Sequence, residues 1–535
     1  MTAVAPHPVP GMPSRAVDPD RYAVSPARLE RLTRRVVAAP RAERRVTTTP
    51  MTGGRLGEIP LSTPEDVQIA VRQARVAQRD WARLPIATRA QVARRLHDLV
   101  LARQDELLDL IQLESGKARL HAFEEVVDMA LVSRHYARKG AAYLTHRSVR
   151  GPYPVLSRAQ THHDPVGVVG VISPWNYPLT LPLGDTIPAL VAGNAVVLRP
   201  DVLASLTSLL AAELLEQAGL PEGVLQVVTG PGSVVGQAVI EQVDYVCYTG
   251  STEVGRRVAQ DAARRLVGSS MELGGKNAMY VRADADLGRA VPGAIRAAFG
   301  SGGQMCVHAE RLVLHEGVAD AFLAEFLPAV RAMRLGTELQ FGVDMGSLAS
   351  QSQLDAVRAH VEDAVGKGAQ LLAGGAARPD LGPFVHEPTV LGGVTPEMVC
   401  RDAETFGPVL SVYRVGSDED AIALANDTAY GLNASVWSRD VRTAQAIARR
   451  IRCGTVNVNE AYGAAWGATA APMGGMGQSG LGRRHGPEGI LKYTEAQTVA
   501  TQRLVGFGPI LGLDEAGFAK ALTLGLRALH RMGLS

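Results

Sequence analysis

From Val166 onward, short runs rich in β-branched residues alternate with windows of helical periodicity. The apolar runs cover 166–172, 195–198, 224–228, 243–248 and 266–271, and the helical windows cover 204–218, 233–242 and 252–265. Strands that are joined through helices run parallel, and helices then cover both faces of their sheet. The pattern therefore predicts an open α/β domain, in which ligands bind at the carboxyl ends of the strands.

A second series of the same kind begins near Asn277. Strands are predicted at 277–281, 311–315 and 408–413, and helices at 286–299, 318–333 and 352–366. Before Val166, from Pro64 to about Arg147, apolar residues recur at spacings of three and four, which indicates helices. The predicted fold class is thus α/β, with two open parallel-sheet, Rossmann-like domains that meet near 274–277.

Length and charge exclude several classes of protein. A chain of 535 residues is long enough for two or three domains, and its net charge of +2 gives no sign of a nucleic-acid partner. A membrane helix needs about 20 consecutive apolar residues, whereas the most apolar stretch, 165–198, is interrupted by prolines. The first twenty residues of the chain lack the apolar core of a secretory signal. We therefore expect a soluble, cytoplasmic protein without an integral membrane segment.

One of the four cysteines stands out by its neighbours. The set contains no C-x-x-C pair, so neither a metal site nor a disulfide framework is expected. Cys306 ends the segment Gly302-Gly-Gln-Met-Cys306, where glycines would let a ligand approach the backbone. A free thiol has a pKa of about 8.5, so a nucleophilic cysteine needs a base. Glu272, which ends a predicted strand, is a candidate base, although alone it fits a salt-bridged junction residue equally well.

Three further segments could bind a ligand. Gly250 and Ser251 lie between a predicted strand and a helix, where their backbone could hold a phosphate or Ser251 could simply cap the helix. Gly230, Gly232 and Gly236 fit a phosphate loop or a tight turn. A G-x-G-x-x-G match at 475–480 is followed by no helix and is interpreted as a loop. Asn176 follows the first strand, where its amide could donate to an oxyanion.

Together these residues resemble the aldehyde dehydrogenase superfamily over about 60–501, and the chain looks most like an actinobacterial group of succinate-semialdehyde dehydrogenases. Glu272 and Cys306 are 34 positions apart, which is the family's spacing. The family's motifs occur in order: Pro174-Trp175-Asn176, Gly250-Ser251 with Gly255, Glu272-Leu-Gly-Gly-Lys276, Gly303-Gln-x-Cys306, Glu404-x-Phe406-Gly-Pro408, and Pro472-Met-Gly-Gly475 with Ser479-Gly480.

The resemblance implies NAD(P)-dependent oxidation of an aldehyde to a carboxylic acid. Cys306 would attack the carbonyl, the Asn176 amide and the Cys306 backbone N–H would hold the oxyanion, and Glu272 would activate water against the resulting thioester. By the same resemblance, Glu404 would bind the nicotinamide ribose, Phe406 would pack near the ring, and Trp175 and Ser251 would contact the pyrophosphate. The cofactor-binding residues would be Trp175, Arg199, Gly250, Ser251, Glu404 and Phe406.

Two departures from the family pattern bear on cofactor and substrate. The chain has Arg199-Pro-Asp-Val202 where the family usually has Lys-Pro-x-Glu. A 2′-phosphate would thus meet an arginine and no glutamate, which favours NADP over NAD. The better-known succinate-semialdehyde enzymes carry carboxylate-binding arginines where this chain has Gly184 and Gly300. The carboxylate of succinate semialdehyde would need another partner.

Three alternatives remain open. Succinate semialdehyde, oxidised to succinate, is the expected substrate, and apolar aliphatic or aromatic aldehydes are the alternative that needs no cation. A CoA-acylating enzyme would not need Glu272 as a base for water. A catalytically inactive relative that only binds the cofactor would not need Cys306, Glu272 and Asn176 together.

The resemblance also divides the chain. It implies a cofactor domain (26–146 and 166–274), a catalytic domain (275–475) and an oligomerisation element (147–165 and 492–503), hence a homodimer or homotetramer. Residues 1–25 are predicted to be disordered, since they are polar and rich in proline. The tail, 504–535, contains an amphipathic helical window that could dock on the protein's own surface or lie on a membrane.

Overall fold

A computed structural model of the chain describes residues 22–150, 157–502, 508–510 and 512–533. These residues form two compact units. The larger unit contains the described residues up to Tyr143 together with Pro165–Tyr493, and the smaller contains Leu144–Asp164 with the described residues from Thr494 onward.

The larger unit begins with helices and one antiparallel strand pair. Thr63 and Asp66 form a reciprocal capping box at the start of a long helix, and Pro64 occupies its first turn. The helices are Pro26–Thr33, Pro64–Arg83, Ile86–Ala102, Gln104–Ser115 and Arg119–Leu144, and the paired strands are Arg44–Thr48 and Arg55–Pro60.

The predicted disorder of residues 1–25 is wrong for residues 22–25, and residues 1–21 lie outside the described part. Val24 donates its backbone N–H to the Leu56 carbonyl at 3.1 Å and is 7% exposed. Tyr22 donates its hydroxyl to the Thr337 carbonyl at 3.1 Å. Ser25 accepts a hydrogen bond from Arg28 as the N-cap of the first helix. Polar composition did not reveal the contacts of Tyr22 and Val24 because their partners lie far along the chain.

The first sheet of the larger unit carries the amino-terminal part of the site. Its central strands are buried on both faces, as expected for a parallel sheet covered by helices. The described strands, in spatial order, are Gly480–Leu481 (antiparallel), Gly268–Glu272, Tyr245–Thr249, Val168–Ile172, Ala195–Arg199 and Leu225–Val227. The connecting helices are Thr180–Ala192, Ser205–Gln217, Gln237–Ile240 after a π-helical turn at Gly232–Gly236, and Thr252–Arg264.

The chain passes from the first sheet to the second between Glu272 and Asn277. Except for the antiparallel first strand, the second sheet is parallel; its described strands, in order, are Gln370–Ala373, Thr389–Gly392, Val409–Val415, Ala309–His315, Asn277–Val281, Asn433–Trp437 and Thr455–Val458. The helices that follow this crossing are Leu287–Phe299, Glu316–Arg331, Gln351–Gly366, Val399–Asp402, Asp418–Asn426, Val441–Ala448, Gly463–Trp466 and Glu488–Leu491, with 3₁₀ turns at Gly300–Gly303 and Gly477–Ser479. The last helix packs on the helix Thr180–Ala192 of the first sheet. The predicted α/β fold with two parallel sheets is confirmed.

The smaller unit is a three-stranded sheet with a helix. The strands lie in the order Thr494–Gln502, Ser157–Pro165 and Arg147–Arg150, and the first is exposed along nearly its whole length. Asp514 caps the helix Glu515–Arg531, none of whose residues is buried. Residues 504–507, 511 and 534–535 of the predicted tail lie outside the described part. Among the helices that are described, none combines the length and the apolar character needed to cross a bilayer.

Candidate active site

Three neighbouring strands of the first sheet deliver polar residues to one edge. Asn176 follows the strand Val168–Ile172, Ser251 follows Tyr245–Thr249, and Glu272 ends Gly268–Glu272. Carboxyl ends of parallel strands meet at one edge of their sheet, and here they border a cavity of about 260 Å³. We call it the first cavity. Eight of the predicted site residues line it: Trp175, Asn176, Gly250, Ser251, Glu272, Cys306, Glu404 and Phe406.

Cys306 lies on a loop that only glycine-rich sequence can form. Ser301, Gly302 and Gly303 all have left-handed backbone, with φ of 52°, 65° and 70°. A Cβ on Gly303 would lie 2.1 Å from the Gly407 carbonyl oxygen, so no larger residue fits there. The loop leaves Cys306 partly exposed in the cavity, whereas the other three cysteines are buried. Exposure therefore distinguishes this thiol.

Side-chain amides hold the backbone on the other side of Cys306. Asn277 donates both of its amide hydrogens, to the carbonyls of Cys306 at 2.8 Å and His308 at 2.7 Å. Asn433 donates to the intervening carbonyl of Val307 at 2.9 Å, and its own backbone N–H donates to Asn277 Oδ1 at 2.9 Å. Three consecutive carbonyls after the thiol are thus fixed from the second sheet.

Glu272 has the protonation behaviour of a base that works near neutral pH. It is 8% exposed, and its Oε1 is buried without a hydrogen-bond partner in the described part of the chain. Burial raises its pKa to about 7, and the positive charges of Arg484 and Lys492 limit the rise. Burial, together with the charges of Glu272 and Glu404, raises the pKa of the Cys306 thiol to about 12. At neutral pH the thiol is therefore protonated, and Glu272 is a group able to take up a proton.

A buried ionic cluster accompanies Glu272. Arg484 donates to Asp185 and, at 3.0 Å, to Thr249, whose strand position pairs with Glu272. Asp185 also accepts from Lys492 at 3.0 Å, so the cluster holds two cations and one anion. The surplus positive charge favours the ionised form of the Glu272 carboxylate. None of these roles was inferred from the sequence, because the cluster joins residues almost 300 positions apart.

Asn176 keeps one amide hydrogen without an acceptor in the described part of the chain. Its Nδ2 donates one hydrogen to the Gln304 carbonyl at 3.0 Å, which leaves the second hydrogen for another acceptor. The Asn176 backbone carbonyl accepts from Lys117 at 2.7 Å. These bonds fix the side chain beside Cys306, where the predicted oxyanion donor has to lie.

Phe406 and Trp175 form an aromatic wall of the first cavity. Their ring centroids are 5.7 Å apart and the planes are almost perpendicular. Phe406 has a φ of 52°, a strained value for a bulky residue. Its backbone N–H donates to Glu310 at 3.0 Å, and its carbonyl accepts from Gln353 Nε2 at 2.7 Å. Gln353 also lines the cavity; no sequence motif indicated it.

A carboxylate and a helix N-terminus also line the first cavity. Glu404 accepts the backbone N–H of Gly275 at 2.9 Å, and burial, with Glu310 nearby, raises its pKa to about 7. The Ser251 hydroxyl accepts from the Val254 N–H as the N-cap of Thr252–Arg264. Both interpretations of Ser251 are therefore compatible, since this N-cap also borders the cavity.

Arg199 is the predicted site residue that the structure does not bring into the first cavity. Its Nε and Nη2 donate to the Gly230 carbonyl at 3.1 and 2.7 Å. Its Nη1 lies 3.6 Å from the Asp201 carboxylate, a neighbour that the sequence argument did not weigh. Arg199 thus sits one strand away from Trp175, against the turn that begins at Gly230.

A second cavity of about 460 Å³ lies on the other side of the same segments. Tyr177 and Met305 line it, whereas their neighbours Asn176 and Cys306 line the first cavity. The Tyr177 hydroxyl donates to the Met305 sulfur at 3.1 Å, at the border where the two spaces adjoin. The remaining walls of the second cavity come from the helix Arg119–Leu144, from Arg296 and from residues 462–467. The sequence did not connect these segments. No cluster of metal-binding side chains occurs among the residues that the structure describes.

A comparison with protein families matches residues 37–499 to the aldehyde dehydrogenase family. A Mycobacterium ulcerans protein named "Putative succinate-semialdehyde dehydrogenase NADP(+) 2" is 51% identical over 481 residues, covering 90% of this chain and 93% of that protein. The mitochondrial succinate-semialdehyde dehydrogenase of Arabidopsis thaliana is 37% identical over 452 residues, covering 84% of each.

The fold is likewise that of solved structures in this group. The crystal structure of succinate-semialdehyde dehydrogenase from Burkholderia pseudomallei superimposes with a TM-score of 0.84 at 33% identity. It covers 90% of this chain and 99% of that one.

Proposed function

The chain belongs to the aldehyde dehydrogenase family, and on that premise we propose that it oxidises succinate semialdehyde to succinate with NADP⁺ through a thioester on Cys306. The observation that carries the proposal is the shared cavity: a partly exposed thiol, a buried carboxylate with a pKa of about 7 and an amide donor border the same space. The names of the relatives, at up to 51% identity for those described above, support the choice of substrate and cofactor.

The chemistry follows from the protonation of these groups. Glu272 takes the thiol proton as Cys306 attacks the carbonyl carbon; once Glu272 is neutral, one cause of the raised thiol pKa is gone. The carbonyl oxygen becomes an oxyanion that the Asn176 amide and the Cys306 N–H stabilise; one such donor contributes about 2.7–4 kcal/mol to catalysis. Bound NADP⁺ supplies the hydride acceptor. Loss of hydride from the adduct would leave a thioester on Cys306. Once Glu272 has passed the thiol proton to solvent, it removes a proton from water, which attacks the thioester and releases the acid and the Cys306 thiolate.

The residues present fit a nicotinamide dinucleotide. Gly250 and Ser251 open a helix N-terminus, where a phosphate is stabilised, and the rings of Trp175 and Phe406 stand in the same cavity as Cys306. We assign the pyrophosphate to Trp175 and Ser251, and the ribose and ring to Glu404 and Phe406.

Arg199 is assigned to the 2′-phosphate. Asp201 reduces its attraction for anions, yet Val202 places no carboxylate where the family usually has one. Wild type is expected to prefer NADP⁺, and Val202→Glu to shift kcat/KM toward NAD⁺. A wild type that already prefers NAD⁺ would contradict this assignment.

The catalytic roles are tested by NADPH absorbance with purified protein. Cys306→Ala is expected to abolish NADPH formation, whereas Cys453→Ala, a buried thiol outside both cavities, should retain it. Glu272→Gln should slow both thiol deprotonation and thioester hydrolysis, so that NADPH forms slowly and any succinyl group that reaches Cys306 persists in mass spectra. A Cys306→Ala variant with normal turnover would refute the mechanism.

Apolar aldehydes are a second candidate class of substrate. The second cavity, which borders the Cys306 segment, is lined mainly by apolar and aromatic residues such as Leu120, Phe123 and Trp466. Turnover of hexanal and benzaldehyde beside succinate semialdehyde decides between the two classes.

Assembly and location complete the proposal. We assign residues 26–146 and 166–274 to the cofactor domain, 275–475 to the catalytic domain, and 147–165 with 492–503 to a homodimer or homotetramer contact. The exposed strand Thr494–Gln502 supports such a contact, and light scattering of wild type and Val499→Pro tests it.

The four free thiols favour the cytoplasm, which keeps cysteines reduced; cell fractionation tests this location.

A further inference from the structure

The second cavity is built to hold an organic chain next to the nucleophile. Leu120, Phe123, Val127 and Leu131 recur along one face of the helix Arg119–Leu144 and line it. Leu120 is 56% exposed and Val127 is 37% exposed, as expected for apolar residues that face an open space. The cavity therefore accepts the carbon skeleton of a substrate, and its charged residues decide what the skeleton may carry.

Arg296 is the only cation among the described residues that line either cavity. It lies in the last turn of the helix Leu287–Phe299, with its guanidinium 4.8 Å from the Tyr462 ring centroid. The space for a side chain at Gly300 is restricted, since a Cβ there would lie 3.2 Å from the Tyr462 hydroxyl. A substrate carboxylate thus has one available cation, one helical turn before position 300.

Arg296 already has carboxylate partners of its own. Its Nη2 lies 3.3 Å from Glu124 and its Nη1 3.0 Å from Glu460. Tyr462 donates its hydroxyl to Glu124 at 3.0 Å. Glu124 lines the second cavity, whereas Glu460 does not. An incoming carboxylate therefore meets Glu124 as its direct competitor for the guanidinium.

The ionised form of Glu124 is costly in this position. Burial raises its pKa, although Arg296, Tyr462 and the more distant Lys117 oppose the rise. Lys117 is occupied by Glu125 at 2.7 Å and does not line either cavity. Asp128, one turn along the helix from Glu124, also lines the cavity without contacting Arg296.

We propose that Arg296 binds the carboxylate of the aldehyde substrate and that Glu124 sets the selectivity between acidic and neutral aldehydes by competing for it. The inference rests on the proposed function, because only an aldehyde with a carboxylate needs a cation there. Glu124 weakens binding of acidic substrates and leaves neutral ones of the same length unaffected.

Two substrates with the same carbon skeleton, one with a carboxylate and one without, separate the effect of the substrate's charge from that of its size. Succinate semialdehyde and its methyl ester, methyl 4-oxobutanoate, are compared by NADPH formation in wild type, Arg296→Gln, Arg296→Lys, Glu124→Gln and Asp128→Asn. Arg296→Gln should raise KM for the acid about tenfold or more, as expected for a lost charged hydrogen bond, and change KM for the ester less than about twofold. Arg296→Lys, which keeps the charge without the fork, should restore part of the loss.

The role of Glu124 as a competitor is tested by a change in KM for the acid that is opposite in direction to that of Arg296→Gln. Glu124→Gln keeps the size of the side chain and should lower KM for the acid about threefold to tenfold, while Asp128→Asn should leave the acid-to-ester ratio within about twofold. An unchanged ratio in Arg296→Gln would overturn the assignment of Arg296. Equal effects of Glu124→Gln and Asp128→Asn would replace direct competition with a general field effect.

Failure of the proposed function gives a different result. If the proposed function is wrong, the wild-type protein by itself shows it, because it oxidises the ester but not the acid. In that case Glu124→Gln still decides the inference: acid turnover that emerges in this variant supports it, and its absence overturns it.

Discussion

Replacing Asn277 by alanine should both destabilise the protein and slow acylation of Cys306. The side chain is 3% exposed and satisfies three backbone groups: the carbonyls of Cys306 and His308 and the N–H of Asn433. A buried polar group left unpaired costs about 1–3 kcal/mol. Because the three bonds belong to one network and their contributions are not additive, we expect a loss of about 3–6 kcal/mol in the free energy of unfolding rather than the full sum.

Asn194→Ala is a matched control, at the residue that precedes the strand Ala195–Arg199 of the first sheet. Asn194 also satisfies two carbonyls, of Ala189 and Tyr493, and one N–H, of Gly167, but none of them belongs to the Cys306 loop. Urea unfolding should show similar losses for both variants. Only Asn277→Ala should also slow the pre-steady-state burst of NADPH, because its loop no longer fixes the thiol.

The two measurements refute different parts of this reasoning. A loss below about 1 kcal/mol in Asn277→Ala would mean that the three groups find other partners. A full destabilisation with a normal burst would mean that the amide supports the fold without positioning the nucleophile.

Further expectations concern the base and the nucleophile loop. Because only ionised Glu272 can accept a proton and burial raises its pKa to about 7, deacylation in single-turnover experiments should rise as pH increases through about 7, and Glu272→Gln should lose this rise. Arg484→Met removes a positive charge that lowers this pKa, so the midpoint should move to higher pH; a shift to lower pH would contradict the proposed influence of the cluster. Asp185→Asn removes a negative charge and should move the midpoint the other way, at a cost of about 3–5 kcal/mol in stability, measured by urea unfolding, for breaking a buried ion pair. Gly303→Ala forces a Cβ against the Gly407 carbonyl, so we expect little soluble protein on expression, and a soluble, active variant would show that the loop is adaptable.

The sequence predicted the parts of the site that follow from local pattern. Asn176, Ser251 and Glu272 each follow or end a strand that the apolar runs had located, and the ends of parallel strands must converge. The glycines before Cys306 indicated a segment where a ligand could approach the backbone, and the left-handed residues lie in that segment. The motif order then identified the family.

What the sequence could not predict depends on contacts between distant segments. Asn277 holds the Cys306 carbonyl only because the strand Asn277–Val281 pairs with Ala309–His315 in one register. Arg484 reaches Asp185 across the first sheet, and Arg199 turns to the Gly230 carbonyl instead of the cavity. No periodicity or motif encodes such pairings.

The two cavities share no lining residue, although they meet at adjacent positions of the same two segments. A substitution in the second cavity can therefore alter what enters there while every side chain of the first cavity stays unchanged. Under selection, such a layout allows substrate choice to change separately from the catalytic residues, two properties that are coupled in a single compact site. Residues of the second cavity can change so that other substrates bind, while the catalytic residues of the first cavity, beyond Met305 and Tyr177, are retained.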